Sequence, residues 1–128
     1  SEIKQLNYDK NLNDNDNKFR FIHHSVWNSP VKLSKNFTLI KNNSALQNFN
    51  IEINTDIIYF DPFCHRVQPE MWTKKIINPI INSMNKFSVF VTFSSMNILY
   101  NLLKGLKMDV EKIPGPNKKK KMIRAVKY

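Results

Sequence analysis

The sequence has one cysteine, two glycines and no long apolar run, and each of these shortages limits what the protein can be. The single cysteine, Cys64, excludes an internal disulfide framework and a metal site built from several cysteines. No apolar run approaches the roughly 20 residues that a membrane-spanning helix requires. The first residues also lack the apolar stretch of a secretory signal, so we predict a cytoplasmic protein.

The formal net charge is +10, and most of the basic excess lies in the last quarter of the chain. Residues 1–60 hold seven Lys or Arg against six Asp or Glu, residues 61–100 hold four against two, and residues 101–128 hold nine against two. Such asymmetry favours contact with nucleic acid. The alternative is lysine enrichment without a partner, because Lys outnumbers Arg 17 to 3 in a chain rich in Asn, Lys and Ile.

The first third of the sequence predicts a polar segment followed by a β-hairpin. Residues 1–18 are polar and rich in Asn and Asp, which is typical of a loop or a flexible spacer. Residues 19–27 have no clear pattern. Apolar and polar residues then alternate over residues 31–41, which predicts two short strands, and residues 44–51 predict a short helix at most.

Two continuous apolar runs, at residues 56–60 and 87–93, have the length of β-strands. Such runs are typical of strands that are covered on both faces, as in a parallel sheet. Alternating patterns over residues 107–113 and from Met122 onward predict two further strands. The Pro-Gly-Pro sequence between them predicts a turn that joins them as an antiparallel pair.

Helical patterns separate these predicted strands. Pro69 suits the first turn of a helix, and apolar residues recur at helical spacing as far as Met84. Pro79 interrupts this pattern and is expected to kink or end the helix. Residues 95–106 predict a second helix, with Gly105 as its C-terminal stop. The alternation of strands and helices predicts an α/β fold with a largely parallel sheet.

The chemistry-bearing residues cluster at the ends of the two apolar strands. Asp61 directly follows the first run, and residues 92–94 end the second. Ligands of open α/β sheets bind at the carboxyl ends of the strands, so both segments are candidate site residues. Cys64 and His65 are adjacent in sequence, and neighbours seldom face each other as a nucleophile and its base. We predict no metal site, since the pair His23-His24 lacks further ligands at suitable spacing.

Four motifs follow one another from residue 61 onward. They are Asp61-Pro62-Phe63, then Gln68-Pro69-Glu70-Met71-Trp72, then Thr92-Phe93-Ser94, and finally Val110 and Lys112 with the Pro114-Gly115 turn and Lys120-Lys121-Met122 before Arg124. Together with Trp27 and the hairpin after it, this order resembles the tRNA (5-methylaminomethyl-2-thiouridine) methyltransferase family over roughly residues 20–127.

The resemblance implies a Rossmann-like class I methyltransferase sheet, mostly parallel, with an antiparallel C-terminal edge strand and an incomplete N-terminal side. Residues 1–128 would form a partial methyltransferase domain, folded over residues 19–128. The implied activity is methyl transfer from S-adenosyl-L-methionine to the aminomethyl group of a modified wobble uridine. The implied partner is tRNA, contacted in its anticodon region.

The resemblance also implies roles for individual residues. Asp61 would be the catalytic residue. The residues implied to bind the cofactor are Glu2, Asn43, Asp61, Pro62 and Phe63. The residues implied to bind the substrate are Phe63, Trp72, Thr92, Ser94, Lys118, Lys119, Lys120, Lys121 and Arg124.

The glycine-rich cofactor loop of such methyltransferases is absent, since the only glycines are Gly105 and Gly115. Glycines in such loops let backbone N–H groups approach the cofactor closely. We therefore expect a preceding segment or a partner chain to complete the cofactor site. Two other functions stay open, namely a truncated basic domain that binds RNA without catalysis, and a Rossmann-like methyltransferase with another acceptor.

Each candidate residue also has a purely structural interpretation. Asp61 could cap local backbone N–H groups, Phe63 could pack in the core, and Trp72 could be a buried residue on a helix face. The hydroxyls of Thr92 and Ser94 could satisfy backbone groups at the strand end. The four consecutive lysines could protect an exposed edge strand against aggregation.

Overall fold

The computed structural model describes residues 18–49, 54–116 and 121–128. The chain divides into two compact units, Ser1–Ala45 and Leu46–Tyr128, here called the N-terminal and C-terminal units. The polar segment expected over residues 1–18 falls almost entirely outside the described residues. The interpretation of residues 1–128 as one partial domain stays a prediction. In the part of the chain that the structure describes, no helix is long and apolar enough to cross a membrane.

The N-terminal unit contains a short helix and a β-hairpin. Helix α1 is Lys18–His24, and strands β1 (Pro30–Ser34) and β2 (Phe37–Ile40) pair antiparallel, which confirms the predicted hairpin. Helix α1 covers residues whose sequence had no clear pattern. The ammonium group of Lys41 donates hydrogen bonds to two carbonyls at the C-terminal end of this helix, at 2.9 and 3.1 Å. This tertiary cap stabilises a helix that is too short to be stable by itself.

The C-terminal unit is built on a four-stranded mixed sheet. Its strands are β3 (Thr55–Tyr59), β4 (Met84–Thr92), β5 (Asp109–Ile113) and β6 (Met122–Val126), in the order β3-β4-β6-β5. Helix α2 (Lys74–Asn82) connects β3 to β4, and helix α3 (Asn97–Gly105) connects β4 to β5. A 3₁₀ helix at Leu46–Asn48 precedes β3. The predicted order of strands and helices, and with it the α/β class, is confirmed.

The predicted edge position of the C-terminal strand is wrong. Strand β6 pairs antiparallel with both β4 and β5, so it lies inside the sheet and β5 forms the edge. The only parallel neighbours among the described strands are β3 and β4, although β5 runs in their direction as well. Ile123 and Ala125 of β6 are fully buried, and an apolar strand of this kind is better placed between two others than at an edge.

One face of the sheet carries the core of the C-terminal unit. Phe90, Ala125 and Val110 are register partners on neighbouring strands and project to this face, where the helices pack. The helical core residues are Ile76, Ile77, Ile80, Ile81, Leu99 and Leu103. Ile57 and Tyr59 point to the other face and are exposed, so the prediction that β3 is covered on both faces does not hold for the described residues.

The helix predicted to start at Pro69 is divided into two. Pro69 begins a 3₁₀ helix, Pro69–Trp72, and α2 starts separately after Thr73. Pro79 was expected to kink or end the helix. It lies inside α2, which continues to Asn82, so it does not end the helix. The helix stops three residues later, and Ser83 closes it by donating its N–H to the Pro79 carbonyl at 3.1 Å.

Helix α3 ends at Gly105, as predicted, but another residue supplies the left-handed turn. Lys107 has a φ of 61°, and its N–H donates to the carbonyl of Lys104 at 2.9 Å. The N–H of Met108 donates to the carbonyl of Leu103 at 3.2 Å, which completes a Schellman motif. Met108 and Leu103 are both buried and belong to the same apolar core, so the turn is held against the body of the unit.

These two positions give a stability test. Gly105→Ala should raise the free energy of unfolding by about 1 kcal/mol, because Gly105 is helical and a Cβ there meets nothing within 4 Å. Lys107→Gly should raise it by about 1 kcal/mol, because glycine adopts the left-handed conformation without strain. Urea unfolding followed by circular dichroism measures both changes. Lys107→Ala keeps the Cβ and should bring no gain; a gain as large as that of glycine would refute the assignment of the turn.

Candidate functional site

A cavity of about 790 Å³, here called the strand-end cavity, opens where β3 and β4 end. Its lining consists of residues 61–65 after β3, Gln68, Met71 and Trp72 around the 3₁₀ helix, and residues 93–96 after β4. The two strands are parallel, so their carboxyl ends meet at the same edge of the sheet. The volume is in the range of roughly 300–1,000 Å³ that small-molecule sites occupy.

Asp61 carries the carboxylate of the strand-end cavity. The N–H of Phe60 donates to the carbonyl of Val91 at 2.8 Å, and the chain leaves the sheet immediately afterwards. Pro62 has no N–H and cannot extend the ladder. Among the described residues, no hydrogen bond or ion pair engages the exposed Asp61 carboxylate, so its interpretation as a local backbone cap has no support. The group is accessible to a ligand in the cavity.

Trp72 fastens the turn that carries Asp61. Its ring is 5% exposed and packs edge-to-face on Phe60, with centroids 5.4 Å apart. Its Nε1–H donates to the carbonyl of Phe63 at 2.9 Å. Trp72 is therefore a buried aromatic residue and a lining residue at once, which combines the two interpretations that the sequence left open. The hydrogen bond ties the backbone on the far side of Asp61 and Pro62 to the core.

Aromatic rings flank the carboxylate. Phe63 is 71% exposed and lines the strand-end cavity, where the resemblance implied a contact with cofactor or substrate. Phe93, also exposed, and the half-buried Met96 line it from the β4 side. Phe93 lies in the segment 92–94 that the sequence marked as a candidate, whereas Met96 was not singled out. Their position just after an apolar strand was the available signal, since residues at that place border any ligand bound at the carboxyl edge.

The hydroxyl groups after β4 have separate roles. Thr92 is 2% exposed and does not line the cavity, and its Oγ1 accepts the N–H of Ser94 at 3.2 Å. The structural interpretation, a hydroxyl that satisfies strand-end backbone, therefore describes Thr92. Ser94 is half-buried and lines the cavity, while its Oγ accepts the N–H of Met96 at 3.3 Å.

Of the basic residues predicted to contact the substrate, the two that the structure describes, Lys121 and Arg124, do not line the strand-end cavity. Arg124 is the register partner of Glu111, and its Nε and an Nη atom contact the Glu111 carboxylate at 2.6 and 2.5 Å. This ion pair competes with any phosphate for the guanidinium group. Lys121 is exposed and precedes β6, so it is not a strand residue. Lys118, Lys119 and Lys120 lie outside the described residues.

Asn43, a predicted cofactor residue, is not among the described residues that line this cavity. Glu2 lies outside the described residues. Asn43 belongs to the N-terminal unit. Its backbone N–H donates a hydrogen bond to the side-chain oxygen of Asn28 at 2.9 Å. In the part of the chain that the structure describes, no group of three or more His, Cys, Asp or Glu side chains is placed to hold a metal ion.

The Trp72 hydrogen bond can be tested by its effect on stability. Trp72→Phe keeps an aromatic ring in the core and removes the donor to Phe63, so the free energy of unfolding should fall by at least about 1 kcal/mol. Urea unfolding of both proteins measures the change. Trp27→Phe is the matched control, because Trp27 is an exposed tryptophan and its replacement should change stability by less than about 0.5 kcal/mol. Equal effects of the two substitutions would show that the hydrogen bond contributes nothing.

Comparison with known proteins identifies a family that includes the strand-end cavity. The sequence profile of a family described as S-adenosyl-L-methionine-dependent methyltransferase matches residues 22–128. A comparison with curated proteins gives no significant match. The matched range contains all four strands of the sheet and every residue that lines the strand-end cavity. The chain belongs to this family of S-adenosyl-L-methionine-dependent methyltransferases.

Proposed function

We propose that this chain acts in methyl transfer from S-adenosyl-L-methionine to the aminomethyl group of a modified wobble uridine in tRNA, as the C-terminal part of a catalytic domain with a Rossmann-like sheet. S-adenosyl-L-methionine-dependent methylation follows from the family. The acceptor rests on the motifs at Asp61, Trp72 and Thr92 that resemble the tRNA enzymes. The observation that carries the proposal is the Asp61 carboxylate in the strand-end cavity, which no other described residue engages by a hydrogen bond or ion pair.

The lining of the strand-end cavity fits the reactive end of the cofactor. When bound, S-adenosyl-L-methionine supplies a methyl group on a positively charged sulfur. The exposed ring of Phe63 offers a π face that attracts such a cation. An apolar wall also suits a group that loses its charge during transfer, because little solvation has to be rebuilt.

The described residues do not provide a cradle for the rest of the cofactor. No glycine lines the strand-end cavity, so no backbone segment there can approach a ligand as closely as a glycine-rich loop does. We propose that a preceding segment or a partner chain supplies this loop. Contacts of Glu2 and Asn43 with the cofactor belong to the same proposal, as does the contact of Pro62.

Asp61 has two tasks in the proposed reaction. An amine attacks only through a free lone pair, so it must be neutral and aligned with the methyl group. A carboxylate that accepts the amine N–H orients that lone pair, and alignment of this kind supplies much of the rate acceleration. As the new N–C bond forms, the bond between the methyl carbon and the donor sulfur would break and leave a neutral thioether. The nitrogen would acquire positive charge, and Asp61 can take up its proton. Because Asp61 is exposed, the proton can pass on to water.

The remaining lining residues would hold the acceptor. Phe63 offers an exposed ring on which a uridine base, turned out of its stack, can lie. Trp72 acts through its hydrogen bond to the Phe63 backbone, and Ser94 presents a hydroxyl on the β4 side. The lysines at 118–121 would contact phosphates, which position an RNA without reading its sequence. A tRNA substrate would place the protein in the cytoplasm.

The proposed role of Asp61 predicts a loss of turnover. Asp61→Asn in an active form of the enzyme should lower kcat about 100-fold or more, and should lower cofactor affinity much less, because the amide cannot take up a proton. Transfer of labelled methyl groups to tRNA and cofactor titration measure the two quantities. Asp109→Asn is the matched control, since Asp109 is an exposed carboxylate outside the cavity and its loss should leave kcat unchanged. Unchanged turnover in Asp61→Asn would remove this residue from its role.

The absence of a glycine-rich loop predicts a difference in cofactor binding. S-adenosyl-L-methionine titrated into this chain should bind weakly, and a longer protein that includes a glycine-rich strand and loop before residue 1 should bind at least about 100-fold more tightly. Isothermal calorimetry measures both. Binding by neither protein would count against catalysis and favour the alternative, a non-catalytic RNA-binding domain.

A further inference from the structure

The described part of the N-terminal unit carries positive charge only. Over residues 18–45 the sequence has five basic residues and no Asp or Glu. The basic residues are Lys18, Arg20, Lys32, Lys35 and Lys41. The N-terminal unit as a whole, Ser1–Ala45, holds seven basic and four acidic residues and so keeps a net charge of +3, which favours polyanions over basic partners. The sequence patterns had drawn attention to the lysines near residue 120 instead, because residues 1–60 as a whole are almost neutral.

A second cavity, of about 550 Å³, lies between α1 and the hairpin. Its lining includes two phenylalanines and two lysines, here called the aromatic–lysine cleft: Lys18, Phe21, Lys32 and Phe37. Phe21 and Phe37 are 52% and 54% exposed, so their rings are accessible from the cleft. The half-buried Ile22 and Leu33 complete its apolar surface.

This combination matches the chemistry of a single-stranded nucleic acid. Bases stack on aromatic rings, and lysines neutralise the phosphates on either side. A duplex keeps its bases stacked and has none to offer to Phe21 and Phe37. A membrane surface is a poorer match, because α1 has only seven residues and helices that lie in a membrane surface need a long apolar face. An acidic peptide would use the lysines and leave the two rings without a partner.

We infer that the aromatic–lysine cleft binds single-stranded RNA, with a base against Phe21 and Phe37 and a phosphate near Lys32. The choice of RNA rests on the proposed function. The inference adds to that function a binding site that is separate from the strand-end cavity and lies entirely in the N-terminal unit.

The test is fluorescence anisotropy of a labelled single-stranded RNA of about a dozen nucleotides, which exceeds the site size of a small module. The full chain is titrated without cofactor. Phe21→Ala and Phe37→Ala should each weaken binding about tenfold through the loss of base stacking. Lys32→Gln should weaken binding and reduce the slope of log affinity against log salt by about 0.7, the value for one phosphate contact on a single strand.

Two controls match these variants. Lys35→Gln removes the same charge from the same hairpin outside the cleft, and Phe87→Ala removes an exposed ring from the C-terminal unit. Both should bind RNA within about twofold of the parent protein. Circular dichroism checks that each variant is folded. If Phe37→Ala is unfolded, Phe21→Ala and Lys32→Gln decide the result.

Several outcomes would overturn the inference. One is parent-like RNA binding by both phenylalanine variants; another is an equal loss in Lys32→Gln and Lys35→Gln, which would indicate diffuse charge attraction. A third is binding to vesicles of phosphatidylserine and phosphatidylcholine with no binding to RNA. The assay contains no cofactor and measures no methylation, so an inactive Asp61 or a missing cofactor loop leaves its result unchanged. Conversely, active methyl transfer with no effect of the cleft variants refutes this inference alone.

Discussion

The parallel pairing of β3 with β4 is the constraint on which the candidate active site depends. The register Ile58↔Phe90 and Tyr59↔Val91 brings both strands to the same edge of the sheet. Phe90 is fully buried beneath the helices, so the register cannot slip by one residue without turning this ring to the opposite face. The chain then leaves β3 at Asp61 and β4 at Phe93, and the two segments enclose the strand-end cavity between them.

The two cavities contain aromatic rings and differ in charge. In the strand-end cavity, Phe63 and Phe93 flank the carboxylate of Asp61, a combination suited to a cationic sulfur and an amine. In the aromatic–lysine cleft, Phe21 and Phe37 accompany lysines, a combination suited to a base and its phosphates. The charge of the neighbouring groups, more than the apolar surface, therefore decides which ligand each cavity can accept.

Local patterns predicted the helices and strands well wherever the structure agrees with local conformational propensity. The hairpin, the alternation of strands and helices along the chain, and the end of α3 at Gly105 were all visible in the sequence. Errors arose where tertiary contacts overrode a local rule. Lys41 caps α1 from a distance, α2 runs past Pro79, and Lys107 holds a left-handed turn without being glycine because Met108 and Leu103 are buried around it. The burial of β6 inside the sheet likewise depends on neighbours that no local pattern identifies.

The sequence by itself determined the α/β class, the motifs around Asp61, and the scarcity of glycine that leaves the cofactor cradle unaccounted for. These follow from periodicity and composition, which are properties of the chain read residue by residue. Only the tertiary structure decided that Trp72 anchors the Phe63 backbone, that Thr92 is buried, and that Arg124 is paired with Glu111. Each of those facts depends on contacts between segments that are distant in the sequence. Such contacts are set by strand register and by the packing of helices on the sheet, and no local pattern contains them.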